Sequence, residues 1–426
     1  MTSPPKPSKK HHYVPQAQLR HFSRDGDRKS IFVFDKISGR SWTSSLLNAG
    51  SENDFNTVAS EQGKWNFEHL FQDVDRRSAW LVSQLLEKRS VAWMTKEDHR
   101  ALLDLIATQM LRTKLARTTP RHLASQFRDI IKSMGFDPDL DPSLAMPKEA
   151  ELRLLAVKNF LEREGVMKPM SRLRPTLLAA DEGGWFILSD HPVVMTNAFP
   201  YGDEALQAHG IIVLLPISPD LAISMVCPTI ISRYENIDGI DMEPERRLRM
   251  QTYRAGWRSG LPIDISSDEI AGWNHKQIVR SSRYLYSDVN EFGFAKKLLN
   301  QKPELRNVGS HIKMGEMGRG LPTREGMPAG MQLVIDGKAD HCIMPICEID
   351  EEGEGLTART TNLDLLEAVA RDKHELRVHF YIDGAQRRMI GSATVERFGK
   401  PSIGWFRVVH MDPSLRSLDE KLNSGK

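Results

Sequence analysis

Residues 307–330, NVGSHIKMGEMGRGLPTREGMPAG, constrain the fold more than any other stretch, because six glycines and two prolines with little apolar content cannot join a packed core. A segment of that composition works as a flexible connection. It divides the chain into a main domain over 11–306 and a smaller module over 331–426. Residues 1–10, polar and proline-rich, are expected to be a disordered tail, since they offer almost nothing to bury.

Within the main domain the hydrophobic period changes once. SIFVFDKISGRSWTSSL predicts a hairpin with Gly39 in its turn. NFEHLFQDVDRRSAWLVSQLLEK then places Phe71, Ala79, Val82 and Leu86 at helical spacing. TKEDHRALLDLIATQMLRTKLAR predicts a second helix, opened by a capping box of Thr95 and Asp98. Further helices are predicted near 121–134 and 148–164. From Pro175 the runs shorten: TLLAADEGGWFILSD reads as two strands about a Gly-Gly turn, and GIIVLLPISPDLAISMV as two more about PISPD. Those four runs predict an antiparallel sheet, covered by helices in EPERRLRMQTYRAG and in SSDEIAGWNHKQIVRSSRYLYS, where Ser266 and Glu269 form a capping box. Past the glycine-rich segment, MQLVIDGKADHCIMPICEI and ELRVHFYIDGAQRRMIGSATVERFG read as hairpins around a helix in TNLDLLEAVARDK. The whole is α+β: a mainly helical first half with an antiparallel sheet, then a small α+β module.

Composition narrows the function. Lys and Arg number 58 against 56 Asp and Glu, so no strong overall field recommends nucleic acid or a membrane surface. No run of 18 apolar residues occurs, and a membrane partner is not expected. Three cysteines, Cys227, Cys342 and Cys347, are too few for a disulfide framework, and MTSPPKPSKK lacks the apolar core of a secretory signal, so a cytoplasmic location is expected. DHCIMPIC brings His341, Cys342 and Cys347 together in sequence without the second knuckle of a zinc site. There is no phosphate loop, dinucleotide fingerprint or nucleophile elbow, so no nucleotide cofactor is expected.

The informative residues are polar ones on apolar stripes. Leu102, Leu105, Gln109, Arg112 and Ala116 step by three or four, so Gln109 and Arg112 point where the leucines point. An inward guanidinium needs an acidic partner, and Glu68 and Asp75, seven apart on the preceding helix, supply candidates. Either Asp75 and Arg112 form a structural ion pair, or the two helices line a charged pocket. In FILSDHPVVMTN, Ser189, Asp190 and His191 stand at a strand end before Pro192, where they either line a site or form a turn. In KKHHYVPQAQLRHF, Pro15 suits a first helical turn running through Arg20, so His11 and His12 precede a helix start. There they can take a proton, ligate a metal or serve as hydrogen-bonded packing residues.

HHYVPQAQLRHF, QMLRT, FILSDHPVV, LLPISPD and NHKQIVRSSRYLYS together resemble, in that order, the blocks of a prokaryotic domain-of-unknown-function family, number four-two-three-eight. The resemblance covers roughly residues 10–299 and singles out His11, His12, Pro15, Arg20, Gln109, Arg112, Ser189, Asp190, Pro192, Pro216, Asn274 and Gln277. Members usually carry Asn at the position of His191, which argues against a role for that histidine. The resemblance implies no established activity; families of this type are often met beside mobile elements or in defence.

Two functions are expected from these residues. The first is a metal-dependent phosphodiester hydrolase, nuclease-like, in which Glu68, Asp75 and Asp190 hold Mg or Mn, His11 or His12 is the base and Arg112 stabilises phosphate charge. Arg20, Gln109, Ser189, Asn274 and Gln277 then form a surrounding polar cluster, with nucleic acid or a small phosphorylated ligand as the partner. The second is a non-catalytic anion-binding regulator whose C-terminal module contacts a protein.

Overall fold

In Ser30–Asp35, Ile31 and Val33 alternate with Phe32 and Phe34, so both faces of the strand are apolar and both need cover. The computed structural model provides that cover. It describes residues 9–60, 63–133, 135, 136, 138, 140, 147–198, 205–208, 210–235 and 244–306, and seven strand segments between 331 and 411. Residues 1–8 of the expected tail, the glycine-rich segment and the helix expected in TNLDLLEAVARDK lie outside the described residues. The chain divides into two compact units, Met1–Met195 with Ile212–Met314, and Thr196–Ile211 with Gly315–Lys426.

In chain order the elements begin with β1 (Lys10–His12), α1 (Gln16–Leu19), β2 (Ser30–Asp35), β3 (Ser41–Ser45), β4 (Ser51–Asn53), β5 (Thr57–Ser60) and β6 (Gly63–Asn66). Helices follow: α2 (His69–Lys88), α3 (Lys96–Leu111), α4 (Lys114–Ser133), α5 (Glu149–Leu161) and α6 (Glu164–Met170). Then come β7 (Arg174–Ala180), β8 (Leu188–Ser189), β9 (Val194–Asn197), β10 (Ile211–Ser218), β11 (Leu221–Val226), α7 (Pro228–Glu235), α8 (Pro244–Ser259), β12 (Ile263–Ile265), α9 (Ser267–Arg280), β13 (Tyr284–Ser287) and α10 (Gly293–Gln301). The fold is α+β.

One sheet runs β3-β2-β13-β8, with β13 antiparallel to both neighbours. Ile31, Val33 and Tyr286 face a core with Tyr13, Val14, Leu19 and Phe22, while Phe34 and Leu285 face Ile278 of α9 and Ala295 and Leu299 of α10. A second sheet runs β12-β7-β11-β10-β9 and packs Leu178, Leu214, Ala222 and Ile263 against Ile270 of α9. α9 therefore serves both sheets.

Several predicted elements form as their residues dictate. β2 and β3 are the expected hairpin, with Gly39 at φ +69°, and β10 and β11 pair about the PISPD turn. Both capping boxes are present. Three expectations are corrected. The helix expected over 95–117 breaks after Leu111, because Thr113 Oγ1 accepts the Ala116 N–H at 3.3 Å and starts a new helix. α2 buries Phe71, Val74, Ser78, Leu81, Val82 and Leu85, a face rotated about one residue from the predicted stripe. TLLAADEGGWFILSD is not a hairpin: β7 and β8 belong to different sheets. The reason is Asn274, whose Oδ1 accepts the Ile187 N–H at 3.0 Å and whose Nδ2 donates to the Trp185 carbonyl at 2.8 Å, holding that backbone on α9.

β1 pairs antiparallel with β4, and Gly50 closes the connection. Its carbonyl accepts the Tyr13 and Val14 N–H groups at 2.9 and 3.2 Å, its φ is +59°, and a Cβ there would lie 3.0 Å from Val14 Cβ. Gly50→Ala is therefore expected to destabilise the first unit by about 2 kcal/mol, read as a lowered urea midpoint with unchanged slope.

In the second unit the described strands β14 (Met331–Asp336), β15 (His341–Pro345), β16 (Glu348–Glu352), β17 (Gly355–Thr360), β18 (Glu375–Ile382), β19 (Gln386–Phe398) and β20 (Gly404–Met411) form one antiparallel sheet ordered β15-β14-β18-β19-β20-β17-β16. The two expected hairpins are β14 with β15 and β18 with β19. One edge, β16, reads EIDEE, and charge along an edge discourages pairing with another chain.

Candidate functional site

The N-terminal hairpin and the helical layer meet through polar side chains. His11, fully buried on β1, accepts the Asn56 N–H on Nδ1 at 2.8 Å, and its Nε2 lies 3.4 Å from Asn66 Nδ2. Asn56 donates from Nδ2 to Glu68 and accepts on Oδ1 from Arg117, which also donates to the Phe55 carbonyl at 3.1 Å. Arg112 caps the C-terminus of α3 at 1% exposure and donates to Asp75 Oδ1 at 2.5 Å and to the His12 carbonyl at 2.6 Å. Its guanidinium lies over Phe71, and that of Arg117 over Phe55. Burial first, and then the charge of Arg112, brings the Arg117 pKa down to about 10.

His12 differs from its neighbour. It is half-buried, and its Nε2 lies 3.2 Å from Gln16 Nε2, an amide donor. Burial is the main cause that lowers its pKa; the Arg112 charge acts the same way, while the Leu46 carbonyl and Glu68 oppose. The outcome is an imidazole that is neutral near pH 7, with a lone pair on the Gln16 side.

A second polar group ties β8, α9 and β13. The fully buried Asp190 carboxylate accepts the Ser282, Arg283 and Tyr284 N–H groups at 2.7, 2.8 and 2.9 Å. Desolvation pushes its pKa up against those three bonds, and nearby Lys36, itself buried, has its pKa lowered to about 8. Lys36 donates to the Ile278 and Ser281 carbonyls at 2.6 and 2.9 Å. Ser189 Oγ donates to Gln277 Oε1 at 2.6 Å, and Gln277 Nε2 donates to the Pro192 carbonyl at 2.7 Å.

These contacts reassign most of the residues singled out by sequence. Glu68, Asp75 and Asp190 are not a metal trio: Asp75 meets Arg112, Glu68 meets Asn56, and Asp190 is used by backbone amides. Among the described residues no group of three or more His, Cys, Asp or Glu is placed to hold a metal ion. His11 is corrected from base to packing residue, because its ring is buried with Asn56 and Asn66 on its nitrogens. Arg112 is corrected from phosphate stabiliser to brace, since burial denies it a substrate. Asp190, Ser189, Asn274 and Gln277 are corrected to supports of the sheet and α9. Gln109 is buried, but its amide has no partner among the described residues, and Arg20 is exposed. His11 and His12 also stand on a strand, and the helix after them is a single turn.

What the sequence missed is Asn56, Asn66 and Arg117, which lie outside the periodic stripes, and the contact of Thr113 Oγ1 with His191 Nδ1 at 2.8 Å. His191 thus has a structural neighbour even though the resemblance argued against a role.

The blocks that carry this geometry are those of one family. Residues 10–290 match the family described as protein of unknown function DUF4238. The chain belongs to that family. The match takes in His12, Glu68, Arg112, Arg117 and the Asp190 group, and it ends within the first unit, so the second unit's sheet lies outside it. No curated protein and no solved structure matches the chain. No helix among the described residues is long and apolar enough to cross a membrane.

Proposed function

We propose that this protein is a hydrolase of phosphodiesters, nuclease-like, with His12 as general base. The observation that carries the reading is the state of His12: an imidazole kept neutral by burial, with Gln16 beside one ring nitrogen and Glu68 close enough to bear on its titration. Arg117 supports an anionic substrate, because two guanidiniums near one another, at 112 and 117, would be relieved by a bound phosphate. Nucleic acid or a small phosphorylated ligand fits that chemistry. Mg or Mn, where used, arrives with the substrate's phosphate, since Glu68, Asp75 and Asp190 each have other partners.

His12→Asn is the test. With fold retained, hydrolysis of a nucleic acid or of bis(p-nitrophenyl) phosphate is expected to fall by roughly 100-fold or more. In the wild type, kcat/KM is expected to rise with pH as His12 loses its proton, with a midpoint below the ordinary histidine value of about 6.5. Equal rates for the variant and wild type would remove His12 as base. Loss of all wild-type activity in chelator, restored by Mn, would return the reaction to a metal mechanism.

A second reading keeps the same cluster as a non-catalytic anion sensor, with the second unit contacting a protein. It is favoured by the number of bonds already committed at Arg112 and Arg117. Phosphate binding by the wild type without hydrolysis of any diester tried would support it.

A further inference from the structure

A groove of about 340 Å³ lies where α9, α10 and the turn at Gly183 and Gly184 meet. Ile270, Ile278, Phe294 and Leu298 make it largely apolar. Gly184 presses the turn onto α9, so that a Cβ there would sit 2.4 Å from Ile270 Cδ1, and this contact forms one wall. Asn274 shapes the floor, with its amide already bonded to the backbone of Trp185 and Ile187.

Two features give the groove a polarity. The Trp185 indole N–H is buried and has no hydrogen-bond partner among the described residues, although buried donors are rarely left unpaired. At the rim, His275 has Lys276 and Lys302 as its charged neighbours; after burial, both act to lower its pKa. An apolar trough with an unused donor inside and positive charge at its mouth is complementary to a molecule with an apolar body and an anionic head.

We propose that this groove is a binding site for a small amphipathic carboxylate. The apolar body lies along Ile270, Ile278, Phe294 and Leu298, an oxygen of the ligand accepts the Trp185 N–H, and the carboxylate charge is met by His275, Lys276 and Lys302. The site is independent of the hydrolase reading, because it shares no residue with the cluster around His12.

Titration calorimetry on the full chain tests it with 4-phenylbutyrate, 4-phenylbutan-1-ol and 4-phenylbutylamine. The carboxylate is expected to bind roughly 10-fold tighter than the alcohol, and the amine more weakly still. Ala271→Trp, which fills the groove from an exposed position, is expected to remove binding. In parallel, the indole 15N–H signal missing from Trp185→Phe identifies Trp185 in the wild type, and it is expected to move downfield on titration with 4-phenylbutyrate. No heat at millimolar carboxylate, equal binding of all three probes, or an unmoved Trp185 signal would each overturn the proposal.

Discussion

Asp190→Ala is expected to abolish the cooperative thermal transition of the first unit or to lower its midpoint so far that little folded protein remains at 37 °C. The substitution strands the N–H groups of Ser282, Arg283 and Tyr284 and deprives the buried Lys36 ammonium of its nearby carboxylate. Each buried amide left unsatisfied costs about 1–3 kcal/mol, so the three together approach the roughly 5–15 kcal/mol that holds an ordinary domain folded. Removing both charges tests the cause: Asp190→Asn combined with Lys36→Met is expected to fold better than Asp190→Ala, by circular dichroism on heating. Should Asp190→Ala melt like the wild type, the carboxylate would not be the clamp described above, and a role at a reactive centre would regain its standing.

Arg112→Met is expected to lower stability by about 3 kcal/mol, because it removes the bridge from Asp75 to the His12 carbonyl and leaves a partly buried carboxylate alone. For a unit of this size the melting temperature should fall by roughly 6–12 °C. Arg112→Lys is expected to recover only part of the loss, since one ammonium cannot reproduce the two separate donations of the guanidinium. The same variant reads the site indirectly. A loosened His12 backbone should weaken hydrolysis mainly through kcat, so normal stability with lost turnover would make Arg112 a participant rather than a brace.

The pairing of Asp75 with Arg112 was legible in the sequence, since a charge on a leucine stripe needs a partner and the adjacent helix offered one. The α+β class, the 30–45 hairpin and the capping boxes at Thr95 and Ser266 were legible for the same reason: each rests on contacts within a few residues. The destination of TLLAADEGGWFILSD was not, because it depends on Asn274, 87 positions away from Ile187, and no local signal announces which amide will claim a backbone. Nor could sequence separate His11 from His12. Both are one step apart on β1, and strand alternation sends one ring inward while its neighbour remains half-exposed. Asn56, Asn66 and Arg117 stayed hidden because polar residues in short hairpins and helix starts look the same whether or not they converge.

The placement of β13 between β2 and β8 has a consequence for how the protein matures. Asp35 and Arg283, 248 positions apart, are joined across this sheet by two bonds of 3.0 and 2.9 Å. During synthesis the N-terminal hairpin emerges early and has to wait, with its apolar faces uncovered, until translation has passed residue 287. Pairing across so long a loop is slow, and the interval exposes the nascent chain to aggregation. Ribosome-associated chaperones should therefore matter more to the yield of this protein than its final stability would suggest.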